Sequence, residues 1–220
     1  MHENERLVLA LPKGRLLDEA VPLMRRAGIA LEPAFDDPED RQLRFRTNHD
    51  AFDVIRVRAF DVPTFVAFGA AHLGIAGSDV MTEFDYAEIY APLDLRIGRC
   101  RLVVAGPAED AGRDDLRRLS HIRVATKYPE NTRKYFAARG VQAECIELSG
   151  AVELAPSMGL SRQIVDLVQT GSTLKANGLV EIETIAEVTA RLVVNRAALK
   201  TRTEEVTQWV ERFREATLAA

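Results

Sequence analysis

The chain has 220 residues, enough for one large domain or two modest ones with substantial cores. It is 47% hydrophobic and 28% charged, with a net charge of −4 at pH 7, which is typical of a globular protein and gives no general attraction for nucleic acid or an acidic membrane. No apolar run is long enough to span a bilayer, and the polar start, residues 1–6, predicts no signal peptide. We therefore expect a cytoplasmic protein with neither nucleic-acid nor membrane partners.

The cysteines and histidines do not form a metal-binding or disulfide pattern. The two cysteines lie in separate apolar stretches without CxxC spacing, and the four histidines are scattered along the chain. We expect Cys100 and Cys145 to be small buried hydrophobic residues, and we assign no protein residue as a metal ligand.

The first half of the chain alternates apolar, β-branched runs with amphipathic segments. This rhythm predicts strands at Leu7–Leu11, Phe52–Val57 and Leu73–Gly77, each followed by a helix, with an edge strand near Leu43–Phe45. Asp61 is placed to cap the second helix. Strand–helix alternation of this kind is typical of βαβ units around a parallel sheet.

The rhythm restarts after residue 95. Strands are predicted at residues 102–105, 122–126, 143–148, 164–168, 180–185 and 189–194, and Asn131 or Thr132 is placed to cap the helix after the second of these. A terminal helix is indicated by the apolar stripe of Val206, Trp209, Val210 and Phe213, with Thr201 and Glu204 as a candidate capping box.

Two βα blocks without a Gly/Ser/Pro-rich linker predict an α/β fold of two lobes joined by crossing strands. Each lobe is expected to have a mostly parallel sheet with flanking helices, similar to a periplasmic binding protein, with a ligand cleft between the lobes. The predicted boundaries place residues 1–95 and 180–220 in lobe I and residues 96–179 in lobe II.

The segment from Ile164 to Leu179 contains a candidate phosphate-binding loop. An apolar strand leads into Thr170-Gly171-Ser172-Thr173 and then a short helix, so backbone amides and hydroxyls could surround an anion. Asp166 lies four residues before Thr170, where a carboxylate could accept hydrogen bonds from the hydroxyls of a bound ribose. The alternative is an ordinary polar turn with a capping Thr or Ser.

A second candidate anion site follows the first strand. Lys13-Gly14-Arg15 places two cations at the start of a helix, which suits a pyrophosphate or a triphosphate. The alternative is a pair of solvated surface cations. At this level, an enzyme acting on a phosphorylated ribose and a second polyanion competes with a two-lobed binding or sensing module without catalysis.

Six ordered motifs distinguish these alternatives. They are LPKGR (residues 11–15), RAFDVPTFVAFGAAHLGIAGSDV (58–80), RCRLVVA (99–105), RVATKYPENTRKYF (123–136), ELSGAVELAPSMGL (147–160) and IVDLVQTGSTLKANGL (164–179). The set resembles the short form of the ATP phosphoribosyltransferase family from about Leu7 to Lys200. One departure is His72, where the family pattern has an acidic residue before LGI.

The resemblance implies transfer of phosphoribosyl from phosphoribosyl pyrophosphate to N1 of ATP in the first step of L-histidine biosynthesis. It implies Mg²⁺ bound mainly through substrate phosphates. By motif, the catalytic residues would be Asp166, Glu153 and Arg58. The residues for phosphoribosyl pyrophosphate would be Asp166, Thr170, Gly171, Ser172, Thr173, Leu174 and Lys13, and those for ATP would be Arg15, Arg58, Gly77, Ser78 and Asp79.

The resemblance also implies a protein partner. Short-form members work with a regulatory subunit that resembles histidyl-tRNA synthetase, in a hetero-oligomer built on homodimers. A nucleobase phosphoribosyltransferase of the usual type is less consistent with the sequence, because it would show two adjacent acidic residues before the phosphate loop, whereas Asp166 stands alone.

Overall fold

The computed structural model describes residues 6–110 and 120–219. The chain divides into two compact units, which we call the first unit (residues 1–98 and 189–220) and the second unit (residues 99–188). The elements in chain order are β1 (Leu7–Pro12), α1 (Arg15–Arg26), β2 (Arg44–Arg46), β3 (Phe52–Val57), α2 (Val62–Ala67), β4 (Leu73–Gly77), α3 (Ser78–Phe84), β5 (Ile89–Asp94), β6 (Cys100–Pro107), β7 (His121–Thr126), α4 (Pro129–Ala137), β8 (Gln142–Glu147), β9 (Gln163–Val168), α5 (Ser172–Ala176), β10 (Leu179–Val188), β11 (Ala190–Asn195), α6 (Arg196–Thr201) and α7 (Thr203–Leu218).

The first unit contains a six-stranded sheet in the order β2-β3-β1-β4-β11-β5. Its centre is parallel, because β1 pairs with both β3 and β4 in the same direction, while β2, β11 and β5 join in antiparallel pairings. Every residue of β1 is buried, which explains why Leu7–Leu11 is a continuous apolar run rather than an alternating one.

Helices cover both faces of this sheet. On one face, α1 packs on β1, α7 packs on α1, β11 and β5, and Trp209 of α7 contacts Phe52 of β3; the predicted stripe of α7 is buried. On the other face, α2 lies close to β4, since a Cβ added at Gly74 would come within 2.8 Å of Val62 Cγ1. Glycine at position 74 is therefore needed for the close approach of helix and strand.

The second unit contains a five-stranded sheet in the order β10-β6-β9-β7-β8. The pairings of β7 with β8 and β9 are parallel, and those of β6 with β9 and β10 are antiparallel. The two-unit α/β fold with flanking helices is as predicted. Both sheets are mixed: parallel pairing joins β3, β1 and β4 inside the first sheet, and β9, β7 and β8 at one side of the second, where β8 is the edge strand.

The compact units differ from the predicted lobes at both boundaries. Residues 96–98 belong to the first unit rather than to lobe II, and residues 180–188 belong to the second unit rather than to lobe I. The second difference arises because β10 pairs with β6 from Leu179↔Pro107 to Val188↔Cys100, so its hydrogen bonds lie within the second sheet.

Two predicted helix caps are wrong, and a third is correct only in position. Asp61 is the N-cap residue of α2, but it lies in a 3-10 turn and its side chain makes no capping hydrogen bond. Helix α4 begins at Pro129, so Asn131 and Thr132 lie inside it, and the Thr132 hydroxyl donates to the carbonyl of Tyr128. Thr201 ends α6 rather than preceding α7, which rules out the capping box with Glu204. Helices α2 and α4 instead begin with a proline at or next to the first helical position, where its fixed φ favours helix initiation.

Neither cysteine is in a disulfide. Cys100 is buried as expected, and Cys145 is half-buried. No helix within residues 6–110 and 120–219 is both long and apolar enough to cross a bilayer.

His72 completes the pairing of β1 with β4. The backbone N–H of His72 donates to the carbonyl of Val8 (2.8 Å), and the backbone N–H of Val8 donates to Nδ1 of the His72 ring (3.1 Å). The ring's Nε2 lies 3.5 Å from NH1 of Arg202, which pairs with Glu205. The residue that departs from the family pattern therefore has a structural role at the start of the strand.

We predict that His72→Ala lowers the free energy of unfolding by about 1–2 kcal/mol, because the N–H of Val8 loses its acceptor. His72→Asp should lose less, since a carboxylate can accept from Val8 and face Arg202. Denaturant unfolding checks this, with His121→Ala at an exposed position as the control. Equal midpoints for His72→Ala and His121→Ala would contradict the role.

Candidate functional site

The candidate phosphate loop connects β9 to α5. Gly171 has φ of +77°, and an added Cβ there would meet only Val168 Cγ1 at 3.9 Å, so glycine is favoured by backbone conformation rather than by space. The hydroxyls of Thr170 and Ser172 lie 3.0 Å apart. Leu174 is buried and anchors the helix in the core of the second unit.

The first-turn amides of α5 have no partner within the helix, as at any helix start. The amide of Ser172 makes a long contact of 3.4 Å with Thr170 Oγ1. Together with the two hydroxyls, these amides give the loop a set of neutral hydrogen-bond donors suited to a phosphate.

Asp166 lies half-buried on β9, between apolar core residues on its own sheet face and the cavity described below. It shares a sheet face with Ile164 and Val168, and it pairs directly with Val103 of β6. Its Oδ1 accepts a hydrogen bond of 2.8 Å from the backbone N–H of Leu167. Burial raises the pKa of Asp166 to about 6; the charge of Glu153 raises it further, while the Leu167 N–H and the charge of Lys127 oppose the increase.

Glu153 reaches the same place from a 3-10 turn, Val152–Leu154. The preceding residue, Ala151, has φ of +51°, a left-handed conformation that is unfavourable for a residue with a Cβ. Buried Val152 fixes this turn against the core. The strained turn therefore positions a second carboxylate near Asp166.

These residues line one cavity of about 270 Å³. Its walls are Glu153, Asp166, the strand end and the whole loop from Gln169 to Leu174. The structure thus brings together every residue predicted for the sugar phosphate in the second unit.

Lys127 was not among the predicted site residues. The parallel register of β7 with β9 ends at Thr126↔Val165, and continuing it by one residue puts Lys127 level with Asp166. Its charge lowers the pKa of Asp166, against the effect of burial. The signal in the sequence was a cation directly after a buried strand.

The predicted residues of the first unit lie at the carboxyl ends of its parallel strands. Lys13 follows β1, and its N–H donates to the carbonyl of Val57 at 2.7 Å. Continuing the two registers of β1 puts Lys13 level with Arg58 on one side and with Gly77 on the other. This edge is where ligands commonly bind in sheets of this kind.

The remaining predicted residues of this edge are partly engaged. Arg15 begins α1 and pairs with Glu19 at 3.4 Å. Ser78 binds Thr189 through its backbone N–H (2.9 Å) and its Oγ (3.4 Å). Asp79 is buried and folds back over Gly77, where an added Cβ would lie 2.1 Å from Asp79 Oδ1. Gly77 is therefore required by the position of the Asp79 carboxylate.

Among residues 6–110 and 120–219, no three His, Cys, Asp or Glu side chains are grouped closely enough to hold a metal ion. The cavity of the second unit offers two carboxylates, Asp166 and Glu153. This donor set fits Mg²⁺, which is commonly held by one or two carboxylates together with substrate phosphates and water.

The HisG family model, described as ATP phosphoribosyltransferase, matches residues 58–215. The chain belongs to the HisG family. Relatives named ATP phosphoribosyltransferase include that of Paramagnetospirillum magneticum, 68% identical over 98% of this chain and 99% of the relative, and that of Rhodospirillum rubrum, 66% identical over 96% and 93%.

Solved structures agree with this assignment. A chain of the ATP phosphoribosyl transferase (HisG:HisZ) complex from Thermotoga maritima is 32% identical, with a TM-score of 0.81 over 97% of this chain and 100% of that one. The alkanesulfonate-binding protein SsuA from Xanthomonas axonopodis pv. citri is 12% identical with a TM-score of 0.56, covering 96% of this chain and 72% of that one. This second likeness is one of fold alone.

We predict that Asp166→Asn stabilises the ligand-free protein at pH 7.5 by roughly 2 kcal/mol. A raised pKa means that the folded state binds the proton more tightly than the unfolded state does. The contribution of Asp166 to stability is therefore full below about pH 4 and is lost as the pH rises through about 6. Asparagine avoids that loss.

Thermal unfolding at pH 4 and pH 7.5 measures the effect. The gain from Asp166→Asn should appear only at the higher pH, and Asp50→Asn, at an exposed position, should show no gain at either. A variant less stable than the parent at pH 7.5 would show that the carboxylate is not strained by burial.

Proposed function

We propose that this chain is the catalytic subunit of an ATP phosphoribosyltransferase. The reaction transfers phosphoribosyl from phosphoribosyl pyrophosphate to N1 of the adenine of ATP, giving phosphoribosyl-ATP and pyrophosphate, as the first step of L-histidine biosynthesis. The observation that carries the proposal is the joint placement of Asp166 and the 170–174 loop in one cavity of a HisG-family chain. Its expected compartment is the cytoplasm.

The sugar phosphate is assigned to the second unit. The hydroxyls and first-turn amides of Thr170–Leu174 hold the 5-phosphate, and the Asp166 carboxylate accepts hydrogen bonds from the ribose hydroxyls. The 5-phosphate and the hydroxyls lie on one sugar, so two anchors on the same strand end would fix its orientation. Good orientation of two reactants can lower the activation barrier by roughly 7–11 kcal/mol.

Displacement at the anomeric carbon develops positive charge on the ribose and negative charge on the departing pyrophosphate. The carboxylates of Asp166 and Glu153 stabilise the positive charge, because they are already fixed beside the sugar. Lys13, Arg15 and Arg58 are assigned to the pyrophosphate or the phosphates of ATP, with Gly77, Ser78 and Asp79 on the ATP side. Adenine N1 is itself a nucleophile, so no general base is assigned.

Mg²⁺ is expected to be bound mainly through the substrate phosphates, with Asp166 and Glu153 as the available carboxylates, and to neutralise charge on the pyrophosphate. Asp166 must be ionised for its role. Because burial raises its pKa to about 6, a substantial fraction of the carboxyl is protonated in mildly acidic solution.

We predict that Asp166→Asn lowers kcat/KM for phosphoribosyl pyrophosphate by roughly 10²-fold while the fold is retained. In the parent protein the same constant should fall below about pH 6, as Asp166 takes up a proton. The assay contains ATP, Mg²⁺ and pyrophosphatase and follows ultraviolet absorbance of the product. Unchanged turnover in Asp166→Asn at saturating Mg²⁺ would refute the role, and Asp50→Asn is the matched control.

We propose further that this subunit acts with a regulatory subunit resembling histidyl-tRNA synthetase, in a hetero-oligomer built on homodimers. The support is that the Thermotoga maritima relative was solved as a HisG:HisZ complex and is covered over its whole length by this chain.

The partnership makes a distinct prediction. The purified chain alone should catalyse the reaction slowly and should not be inhibited by histidine. Adding the regulatory subunit should raise kcat and make the activity sensitive to histidine. Light scattering would detect the assembly. Full, histidine-sensitive activity of the chain alone would contradict it.

A further inference from the structure

The first unit has a second, larger cavity of about 690 Å³, within the usual size of small-molecule sites. One face of α1 forms a wall, through Leu17, Val21 and Arg25, and the turn at residues 35–38 forms the opposite wall. Lys13 and Arg56 also line it.

Arg56 is held in an unusual way. Its guanidinium carbon lies 5.0 Å from the ring centres of both Phe35 and Phe45, and NH1 donates to the carbonyl of Phe35 at 3.0 Å. Two aromatic rings and one carbonyl therefore fix the planar group before any ligand arrives. A fixed guanidinium loses little side-chain entropy when it binds an oxyanion.

Within the described part of the chain, no carboxylate forms an ion pair with Arg56 or Lys13. Nε and NH2 of Arg56 make no other hydrogen bond to described residues. These two cations thus line one cavity with donors available, whereas many other described arginines, such as Arg6, Arg44 and Arg101, pair with acidic residues.

Three carboxylates also line the cavity, and two of them are engaged. Asp36 lies 3.9 Å from Arg25, and Oδ1 of Asp37 accepts from the N–H of Glu39. Asp18, on α1, has no such partner among the described residues. Lys13 and Arg56 therefore face two carboxylates, Asp18 and Asp37, that pair with no described cation, so the available N–H donors of the two cations, rather than an excess of positive charge, favour an anion here.

We propose that this cavity binds a polyphosphate chain, with Arg56 as a phosphate-binding residue beside Lys13. The geometry favours it because a guanidinium offers two parallel N–H donors to phosphate oxygens and the neighbouring ammonium adds a point charge. The identity of the ligand rests on the proposed function. On that basis the bound polyphosphate is the triphosphate of ATP or the diphosphate of phosphoribosyl pyrophosphate.

The test is calorimetric titration of the full chain with inorganic tripolyphosphate, ATP, phosphoribosyl pyrophosphate and adenosine. Arg56→Gln should weaken tripolyphosphate binding about tenfold or more, because a charge-assisted bidentate contact is lost. Asp18→Asn should tighten it. Arg46→Gln, an exposed arginine of β2 outside the cavity, should leave it within about twofold.

The titrations with ATP and with phosphoribosyl pyrophosphate identify which substrate supplies the polyphosphate. A loss in Arg56→Gln confined to ATP assigns the triphosphate, and a loss confined to phosphoribosyl pyrophosphate assigns the diphosphate; adenosine binding should not change in either case. Arg56→Lys keeps a cation near the rings but lacks the fork, so it replaces Arg56→Gln if thermal unfolding shows that variant to be unfolded. Tripolyphosphate, ATP and phosphoribosyl pyrophosphate all binding Arg56→Gln and Arg56→Lys as tightly as the parent would overturn the proposal.

Failure of this proposal and failure of the proposed function give different results. Parent protein that forms phosphoribosyl-ATP, with polyphosphate binding indifferent to Arg56, overturns only the cavity assignment. Parent protein without transferase activity, even with the partner, but with Arg56-dependent tripolyphosphate binding, overturns only the function.

Discussion

The burial of one carboxylate at a strand end is the constraint around which the second unit is arranged. Asp166 lies on the core face of β9 with Ile164 and Val168, and this environment raises its pKa to about 6. An aliphatic side chain there would suit the core better. The carboxylate is consistent with a position selected for binding sugar hydroxyls, where low local polarity strengthens each hydrogen bond. Under the proposed function, Asp166 exchanges stability for that chemistry.

Parallel pairing explains why residues far apart in sequence reach one edge in each unit. The carboxyl ends of β1, β3 and β4 bring Lys13, Arg58 and Gly77 to one level. The same rule in β7, β8 and β9 places Lys127 level with Asp166. The antiparallel strands, by contrast, complete the sheets and carry none of the predicted site residues. The sites therefore depend on the βα strands of each unit.

The sequence was most informative where function depends on local order. The strand, loop and short helix around Gly171 are contiguous, so their order alone predicted the loop. The raised pKa of Asp166 was not predictable, because Val103 and Glu153 approach it only after the sheet has formed. The assignment of β10 to the second unit was not predictable for the same reason, since β10 pairs with β6 between residues that are 72 (Leu179↔Pro107) to 88 (Val188↔Cys100) positions apart.

Arg56 shows the limit of local patterns most clearly. Arg56 is the only polar residue of Val54-Ile55-Arg56-Val57, a pattern typical of an ordinary exposed position on a strand. Its two aromatic partners are Phe35 and Phe45, and the sequence analysis predicted only an edge strand near Leu43–Phe45 for this part of the chain. In the structure this segment fixes the Arg56 side chain, because the rings of Phe35 and Phe45 both lie against its guanidinium group at the cavity.

The cavities of the two units offer an anion different chemistry, and the difference fits the proposed reaction. Among the described residues that line the cavity of the second unit there is no Lys or Arg; the polar groups are neutral hydroxyls and amides together with the carboxylates of Asp166 and Glu153. Fixed carboxylates in that position favour the positive charge that develops at the anomeric carbon in the proposed reaction. In the first unit the lining includes Lys13 and Arg56, which suit the negative charge that grows on a departing or bound polyphosphate. Lys127 is consistent with this division, since the charge it supplies acts on Asp166 and favours the ionised carboxylate that the sugar requires.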